Sequence, residues 1–261
     1  MGENTIISTP TIAKETYRRL LKDVKDLILN PLTMDGIYYI HDEDNMLKGY
    51  AMIIGPEETI YEDGFFFFEI KIPYNYPYAP PKVIFHTQGD NIRFHPNLYR
   101  NGKVCLSILN TWKGEQWTSC QTIRSVLLTL VTLFHNKPLL NEPGCTEKHD
   151  DFFPYNKIIE FKTYDVAIDN ICNQKNLPLS FFSFFPFVKK HFLKKYEKII
   201  KRLDKKIEEN PEPQTISAYI YNMLKILINY KDVKAKIQGT YYTYKLLDNP
   251  TKFIKNSSVE V

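Results

Sequence analysis

The sequence predicts an α+β fold: an N-terminal helix, a four-stranded antiparallel meander, later helices, and a helical extension at the C-terminal end. Three observations predict it. Apolar residues near the N-terminus recur at steps of three and four. Four runs of β-branched and aromatic residues then follow one another with short connections, which favours an antiparallel meander over a parallel sheet. Helical spacing returns beyond residue 120. At 261 residues, 43% hydrophobic and 25% charged, the chain suits one large globular domain or two modest ones.

The first helix is expected to start at Thr9-Pro10, with Thr9 as cap and Pro10 in the first turn. Tyr17, Leu20, Val24, Leu27 and Ile28 form its inward face. Lys14, Arg18, Lys22 and Lys25 form an adjacent basic stripe, and Asn30-Pro31 ends it. Strands follow at 37–41, 47–54, 65–72 and 82–86, the first two flanking a polar hairpin loop. Between the last two, residues 73–81 hold four prolines and so form a stiff loop with few backbone donors. Residues 89–120 show no sustained period, and a loop of that length in a compact domain usually carries function. Helices are expected at 121–135 and 155–172. Beyond Leu177-Pro178, the aromatic run 181–187 reads as core. A helix at 188–209 presents Val188, Phe192, Tyr196, Ile199, Leu203 and Ile207 on one side. Opposite lie Lys189, Lys190, Lys194, Lys195, Lys198, Lys201, Arg202, Lys205 and Lys206. A last helix is expected at 215–230, bounded by Pro211 and Pro213.

Composition excludes several classes. The longest predominantly apolar stretch is nine residues (126–134), far short of the 18 or so needed to cross a bilayer. The N-terminus lacks a secretory pattern, and Ile6 stands where a myristoylation signal needs Ser or Thr. Four cysteines, at 105, 120, 145 and 172, are too sparse for a disulfide scaffold and suggest a reducing, cytoplasmic or nuclear setting. Residues 1–180 hold 18 Lys/Arg against 22 Asp/Glu, whereas 181–261 hold 16 against 8. The acidic body therefore offers an electrostatic partner to the basic extension, which is expected to dock on it.

The chemistry concentrates in the long loop. His95-Pro96-Asn97 is followed, eight residues after Asn97, by Cys105. A thiol is acidic enough to supply thiolate near neutral pH, so a loop cysteine can serve as a nucleophile. A side-chain amide on a rigid turn supplies a donor for the oxyanion of a tetrahedral intermediate. Taken singly, each residue has an ordinary reading as well. A lone cysteine is commonly a small buried hydrophobe, Asn97 a turn residue and His95 a structural histidine. Cys145 and His149, with Cys172 later, lack the paired spacing of a zinc site.

The ordered set resembles the ubiquitin-conjugating enzymes over roughly residues 10–172. It comprises Gly55-Pro56 with Tyr61 and Gly64-Phe65, then the run Tyr76-Pro77-Tyr78-Ala79-Pro80-Pro81-Lys82-Val83. His95-Pro96-Asn97, Cys105, Trp117 and Asn141-Glu142-Pro143 complete it. Leu109-Asn110-Thr111-Trp112 and the C-terminal extension are similar to the extended, Z-type branch. The resemblance implies that Cys105 takes ubiquitin or a ubiquitin-like modifier from an activating enzyme as a thioester. The modifier then passes to a substrate lysine or a ligase. It also implies that Asn97 stabilises the oxyanion, that His95 holds the loop, and that Glu142 or Asn141 orients the incoming lysine. Lys14, Arg18, Lys22 and Lys25, with Tyr78, Ala79, Ser119 and Cys120, would contact the activating enzyme or a ligase.

Two departures stand out. Thr118-Ser119-Cys120 replaces the family's Ser-Pro-Ala, and Asp63 replaces one of two paired glycines at a turn. No metal or organic cofactor is implied, since ATP is used by the activating enzyme. Neither nucleic acid nor membrane is expected as a partner. The alternatives are a non-catalytic binding module of the same fold, which characteristically lacks the cysteine, and nucleic-acid binding through the basic extension.

Overall fold

The apolar spacing of the first 30 residues produces α1 (Lys14–Leu29) in the computed structural model, which describes residues 12–175 and 177–248. The expected cap at Thr9-Pro10 lies outside the described residues. Leu20, Val24 and Leu27 are buried as expected, but Tyr17 and Ile28 are exposed. Thr16 and Asp23 take the remaining inward positions, because each finds a polar partner there. Thr16 Oγ1 donates to the Tyr74 carbonyl at 3.1 Å, and Asp23 accepts from the Tyr76 hydroxyl and from Arg19.

The four expected strands form β1 (Ile37–His41), β2 (Lys48–Ile54), β3 (Phe65–Lys71) and β4 (Lys82–Phe85). They pair in sequence order, each antiparallel to the next. Alternation along β3 sends Phe66, Phe68 and Ile70 to one face and Phe65 and Phe67 to the other. The first face packs on α2 (Ile123–Val131), whose Thr122 and Ser125 cap each other reciprocally. Phe66 also stacks on Phe134 at 4.4 Å between ring centroids. Helix α3 (Phe152–Lys162) continues as wider π-helical turns over Thr163–Asn170, so the helix expected at 155–172 is one rod with a change of pitch.

The second face of the sheet is covered by the C-terminal part of the chain. A 3-10 segment (Leu179–Phe184) and α4 (Phe185–Glu209) lie against it. Phe181 meets Tyr50 and Phe67 at 5.3 and 5.2 Å, and Phe187 meets Tyr38 at 5.0 Å. Val188, Phe192, Tyr196, Ile199 and Leu203 are buried, with Ile207 partly so. The basic side of α4 divides in two. Lys190, Lys194, Lys198, Lys201 and Lys205 are exposed, whereas Lys189, Lys195, Arg202 and Lys206 are half-buried in ion pairs. Their partners are Asp248, Glu57, Asp63 and Glu160 in turn. Asp63 sits at a left-handed turn position (φ 64°) and is buried, where it also accepts from His191 at 2.7 Å.

One element is corrected. Residues 215–230 are not a helix but a hairpin of β5 (Gln214–Ala218) and β6 (Leu224–Ile228), followed by α5 (Tyr230–Asp248). The segment is rich in β-branched and aromatic residues. It turns through Tyr221, Asn222 and Met223, all at positive φ (57°, 67° and 51°). The prolines at 211 and 213 precede a strand rather than cap a helix. The extension is therefore mixed in structure and not wholly helical.

The Asp63 cluster makes folding sensitive to acid. Burial alone would raise the Asp63 pKa, but hydrogen bonds and charge from His191 and Arg202 more than offset it and hold the carboxyl below its ordinary value. Its stabilising contribution is then fully present above about pH 4, the unfolded value, and is lost as pH falls through the lower folded value. Asp63→Asn should cost stability at pH 7 and close the gap to wild type towards pH 3. Urea unfolding at both pH values measures this, and an equal deficit at both would contradict the assignment.

Candidate active site around Cys105

The segment from His95 to Cys105 folds back on itself as a narrow hairpin. Leu98 bridges Val104, the Tyr99 N–H donates to the Lys103 carbonyl at 2.9 Å, and the Gly102 N–H returns to Tyr99 at 2.9 Å. Gly102 is required at the tip. Its φ is +84°, and a side chain there would meet Ile84 and the Phe85 carbonyl at 2.8 and 3.1 Å. The far strand is stitched to β4, the sheet edge, by the Ile84–Lys103 bridge and the Phe85 N–H to Gly102 bond of 2.8 Å.

At the base of this hairpin Asn97 and Cys105 face each other through two reciprocal bonds. The Cys105 N–H donates to the Asn97 carbonyl at 2.9 Å, and Asn97 Nδ2 donates to the Cys105 carbonyl at 2.6 Å. An amide nitrogen has two hydrogens, so one donor remains beyond this bond. Asn97 is buried, with Oδ1 lacking a partner. Cys105 is 1% exposed, so its side chain is shielded from solvent.

His95 is fully buried, and its Nδ1 accepts the Asn97 N–H at 3.0 Å, which requires the proton to sit on Nε2. Burial, reinforced by His135 and Arg93, holds its pKa well below the ordinary imidazole value, so the ring stays neutral and holds the turn. Two tyrosines anchor the preceding residues: the Tyr61 hydroxyl donates to the Phe94 carbonyl at 2.7 Å, and that of Tyr155 to the Arg93 carbonyl at 2.6 Å. On the other side, Thr111 Oγ1 accepts from the Leu106 N–H at 2.9 Å and donates to the Val104 carbonyl at 3.0 Å. Asn110 (φ 57°) closes the short helical turn Ser107–Leu109 and accepts from the Trp117 N–H through its side chain.

The two candidates for orienting a lysine are held by different partners. Glu142 accepts from the Tyr221 hydroxyl, at the turn of the C-terminal hairpin, and Asn141 Oδ1 meets His135 Nε2 at 3.1 Å. His135 in turn lies edge-on to His95. The half-buried Asn141 is thus tied to the His95 side, and Glu142 to the C-terminal hairpin.

The expected contact residues lie along α1 and on two loops that meet it at Glu15 and Arg19. Lys14, Arg18, Lys22, Lys25, Tyr78, Ser119 and Cys120 are exposed, with Ala79 half-buried. Arg19 joins these parts by donating to the Ser119 carbonyl at 2.6 Å while pairing with Asp23. Trp117 Nε1 donates to the Pro77 carbonyl at 2.6 Å, and the Tyr78 hydroxyl to Glu15 at 3.3 Å. Arg19, Arg93, Tyr155 and Tyr221 carry no motif of their own, and only the folded contacts reveal them. Among the described residues no group of three His, Cys, Asp or Glu side chains could hold a metal ion. No described helix is long and apolar enough to cross a membrane.

Residues 19–156 match the sequence model of the ubiquitin-conjugating enzymes. With the four-stranded meander and the Asn97–Cys105 pair, the match places the chain in the ubiquitin-conjugating enzyme family. Within it, the chain falls with the Z-type branch. It is 41% identical over 166 residues to ubiquitin-conjugating enzyme E2 Z of Homo sapiens, covering 62% of this chain and 46% of that protein. The Danio rerio E2 Z is 40% identical over 189 residues, covering 71% and 56%. A probable ubiquitin-conjugating enzyme protein 17 of Caenorhabditis elegans is 36% identical over 203 residues, covering 72% and 27%. The chain spans about half the length of the E2 Z relatives it matches.

The contrast in burial gives a direct check. Cys120 is exposed and Cys105 buried, so brief treatment of the native protein with iodoacetamide should modify Cys120 well before Cys105. Peptide mapping by mass spectrometry reads the order, and faster labelling of Cys105 would show the thiol to be open in solution.

Proposed function

We propose that this protein is an active ubiquitin-conjugating transferase whose nucleophile is Cys105. The observation that carries the reading is the reciprocal pair of bonds between Asn97 and Cys105, which fixes a thiol and an amide donor on adjoining strands of one rigid hairpin. In the first step the Cys105 thiolate attacks the thioester carbonyl of a modifier carried on an activating enzyme. A new carbon–sulfur bond forms and the activating enzyme's cysteine leaves as thiolate. In the second step a lysine amine attacks the Cys105 thioester. The carbonyl oxygen becomes an oxyanion, an amide bond forms, the amine loses its proton, and Cys105 departs as thiolate.

The remaining N–H of Asn97 is the candidate donor to that oxyanion, where one preorganised donor contributes roughly 3 kcal/mol. Neutral His95 acts by holding the turn and takes no proton. Glu142 or Asn141 orients the lysine. Each is already engaged, Glu142 by the Tyr221 hydroxyl and Asn141 by His135. These exchanges need no metal or organic cofactor on this chain, and ATP is consumed by the activating enzyme. The partners are ubiquitin or a ubiquitin-like modifier, an activating enzyme, a ligase and protein substrates, met in the cytoplasm or nucleus. Activating enzyme and ligase are assigned to the surface of Lys14, Arg18, Lys22, Lys25, Tyr78, Ala79, Ser119 and Cys120. Residues 1–176 form the catalytic core in this reading, and 177–261 the extension.

Incubation with an activating enzyme, ATP and a panel of modifiers should give an adduct that reductant removes. Cys105→Ser should give at most a reductant-resistant ester, and Cys105→Ala nothing. Asn97→Ala should still load but discharge to free lysine on the order of a hundredfold more slowly. A labile adduct on Cys105→Ala, or equal losses of loading and discharge in Asn97→Ala, would overturn the respective assignment.

A further inference from the structure

The tip of the active-site hairpin faces the turn of the C-terminal hairpin, and between them runs a cleft of about 430 Å³. Its lining is Arg93, Tyr99, Arg100, Asn101, Tyr221 and Asn222. Arg93 is held with its guanidinium between two rings, 3.8 Å from the centroid of Tyr99 and 4.0 Å from that of Tyr221. One of its nitrogens donates to the Pro96 carbonyl. Arg100 is held by donation from Nη2 to the Tyr221 carbonyl at 2.8 Å. Lys103 Nζ also lies over the Tyr99 ring, 5.6 Å from its centroid.

These three cations are unbalanced. Among the described residues neither the half-buried Arg93 and Arg100 nor the exposed Lys103 is within ion-pair distance of a carboxylate, whereas the half-buried Arg19, Arg124 and Arg202 each pair with one. The Nε groups of Arg93 and Arg100 are buried and have no hydrogen-bond partner at all. The two carboxylates at this end of the C-terminal hairpin are already engaged. Glu142 accepts from the Tyr221 hydroxyl, and Asp151 accepts the N–H groups of Tyr219 and Ile220 at 2.8 and 2.9 Å. Two guanidinium groups, Arg93 fixed by stacking and Arg100 by its bond to the Tyr221 carbonyl, line one cleft without a carboxylate partner, an arrangement suited to binding a carboxylate.

We infer that this cleft is a subsite for an acidic side chain of the acceptor polypeptide, so that the enzyme prefers lysines flanked by Asp or Glu. The inference rests on the transferase reading above and adds a substrate class to it. The spacing fits. Arg100 stands three residues beyond Asn97 on the same hairpin, about 10 Å at the rise of an extended chain. An acceptor chain laid along the hairpin, with its lysine at Cys105, brings a residue some two to four positions away to the cleft. Tyr221 and Asn222 form the far wall, so the C-terminal hairpin takes part in choosing the substrate.

The test uses the full chain loaded with modifier and two synthetic acceptor peptides. Each has one lysine, followed three positions later by Glu in one and Gln in the other. Wild type should discharge about tenfold faster to the Glu peptide, with the ratio shrinking as salt rises. Arg100→Gln should bring the ratio close to one. Asn222→Asp should do the same from the opposite wall, at a left-handed position that Asp tolerates. Melting temperatures identify any variant that has not folded, and the other variant then decides. Equal rates of wild type on the two peptides, or a ratio unchanged in the folded variants, would overturn the inference. Failure of wild type to load at all would instead overturn the transferase reading, so the two are told apart on one gel.

Discussion

The site depends on the rung between Asn97 and Cys105, because it alone sets where the thiol-bearing residue lies relative to a side-chain amide. The Cys105 N–H holds the two strands in register through the Asn97 carbonyl, and the Asn97 side chain adds a second anchor at the Cys105 carbonyl. The surrounding contacts then serve the rung. His95 accepts the Asn97 N–H, Tyr61 and Tyr155 hold the carbonyls just before the turn, and Thr111 ties the chain just after the cysteine. Amide-based stabilisation of an oxyanion is effective only when the donor needs no reorganisation, and a buried turn locked on both sides supplies that condition.

The same economy links the C-terminal extension to the chemistry. An antiparallel meander ordinarily leaves one face in water, but here the extension covers Phe65 and Phe67 and pairs its half-buried cations with Glu57, Glu62, Asp63 and Glu160. The hairpin of β5 and β6 reaches further, to Glu142, Asp151, Arg93 and Arg100. The extension thus touches the turn that carries Asn97 through the stacked Arg93, which also holds the Pro96 carbonyl.

Much of this was legible in the sequence, and the rest was hidden for definite reasons. The four strands and their order follow from short connections and β-branched runs. The candidate site comes from the resemblance carried by His95, Asn97 and Cys105 together with the flanking motifs, since each of these residues taken singly has an ordinary structural reading. The unbroken phenylalanines at 65–68 mark a strand buried on both faces, and Asp63, where glycine is usual, marks the turn that receives Arg202 and His191. Residues 215–230 misled because apolar residues dense enough for two faces fit both a period of 3.6 and a period of two, and only the three left-handed residues at 221–223 decide the matter. Tyr17 and Ile28 misled because satisfied polar residues, Thr16 and Asp23, claimed the buried arc of α1. The roles of Arg93, Arg100 and Tyr221 had no local signal, since contacts across more than 100 residues of chain create them.

The most direct measurement is tandem mass spectrometry of the modifier-loaded full chain, digested without reductant. The modifier's C-terminal residue is expected on the peptide carrying Cys105, with the thiols of Cys120, Cys145 and Cys172 left free. A modifier found on any of those three, with Cys105 unmodified, would contradict the assignment of the reaction to the Asn97–Cys105 rung.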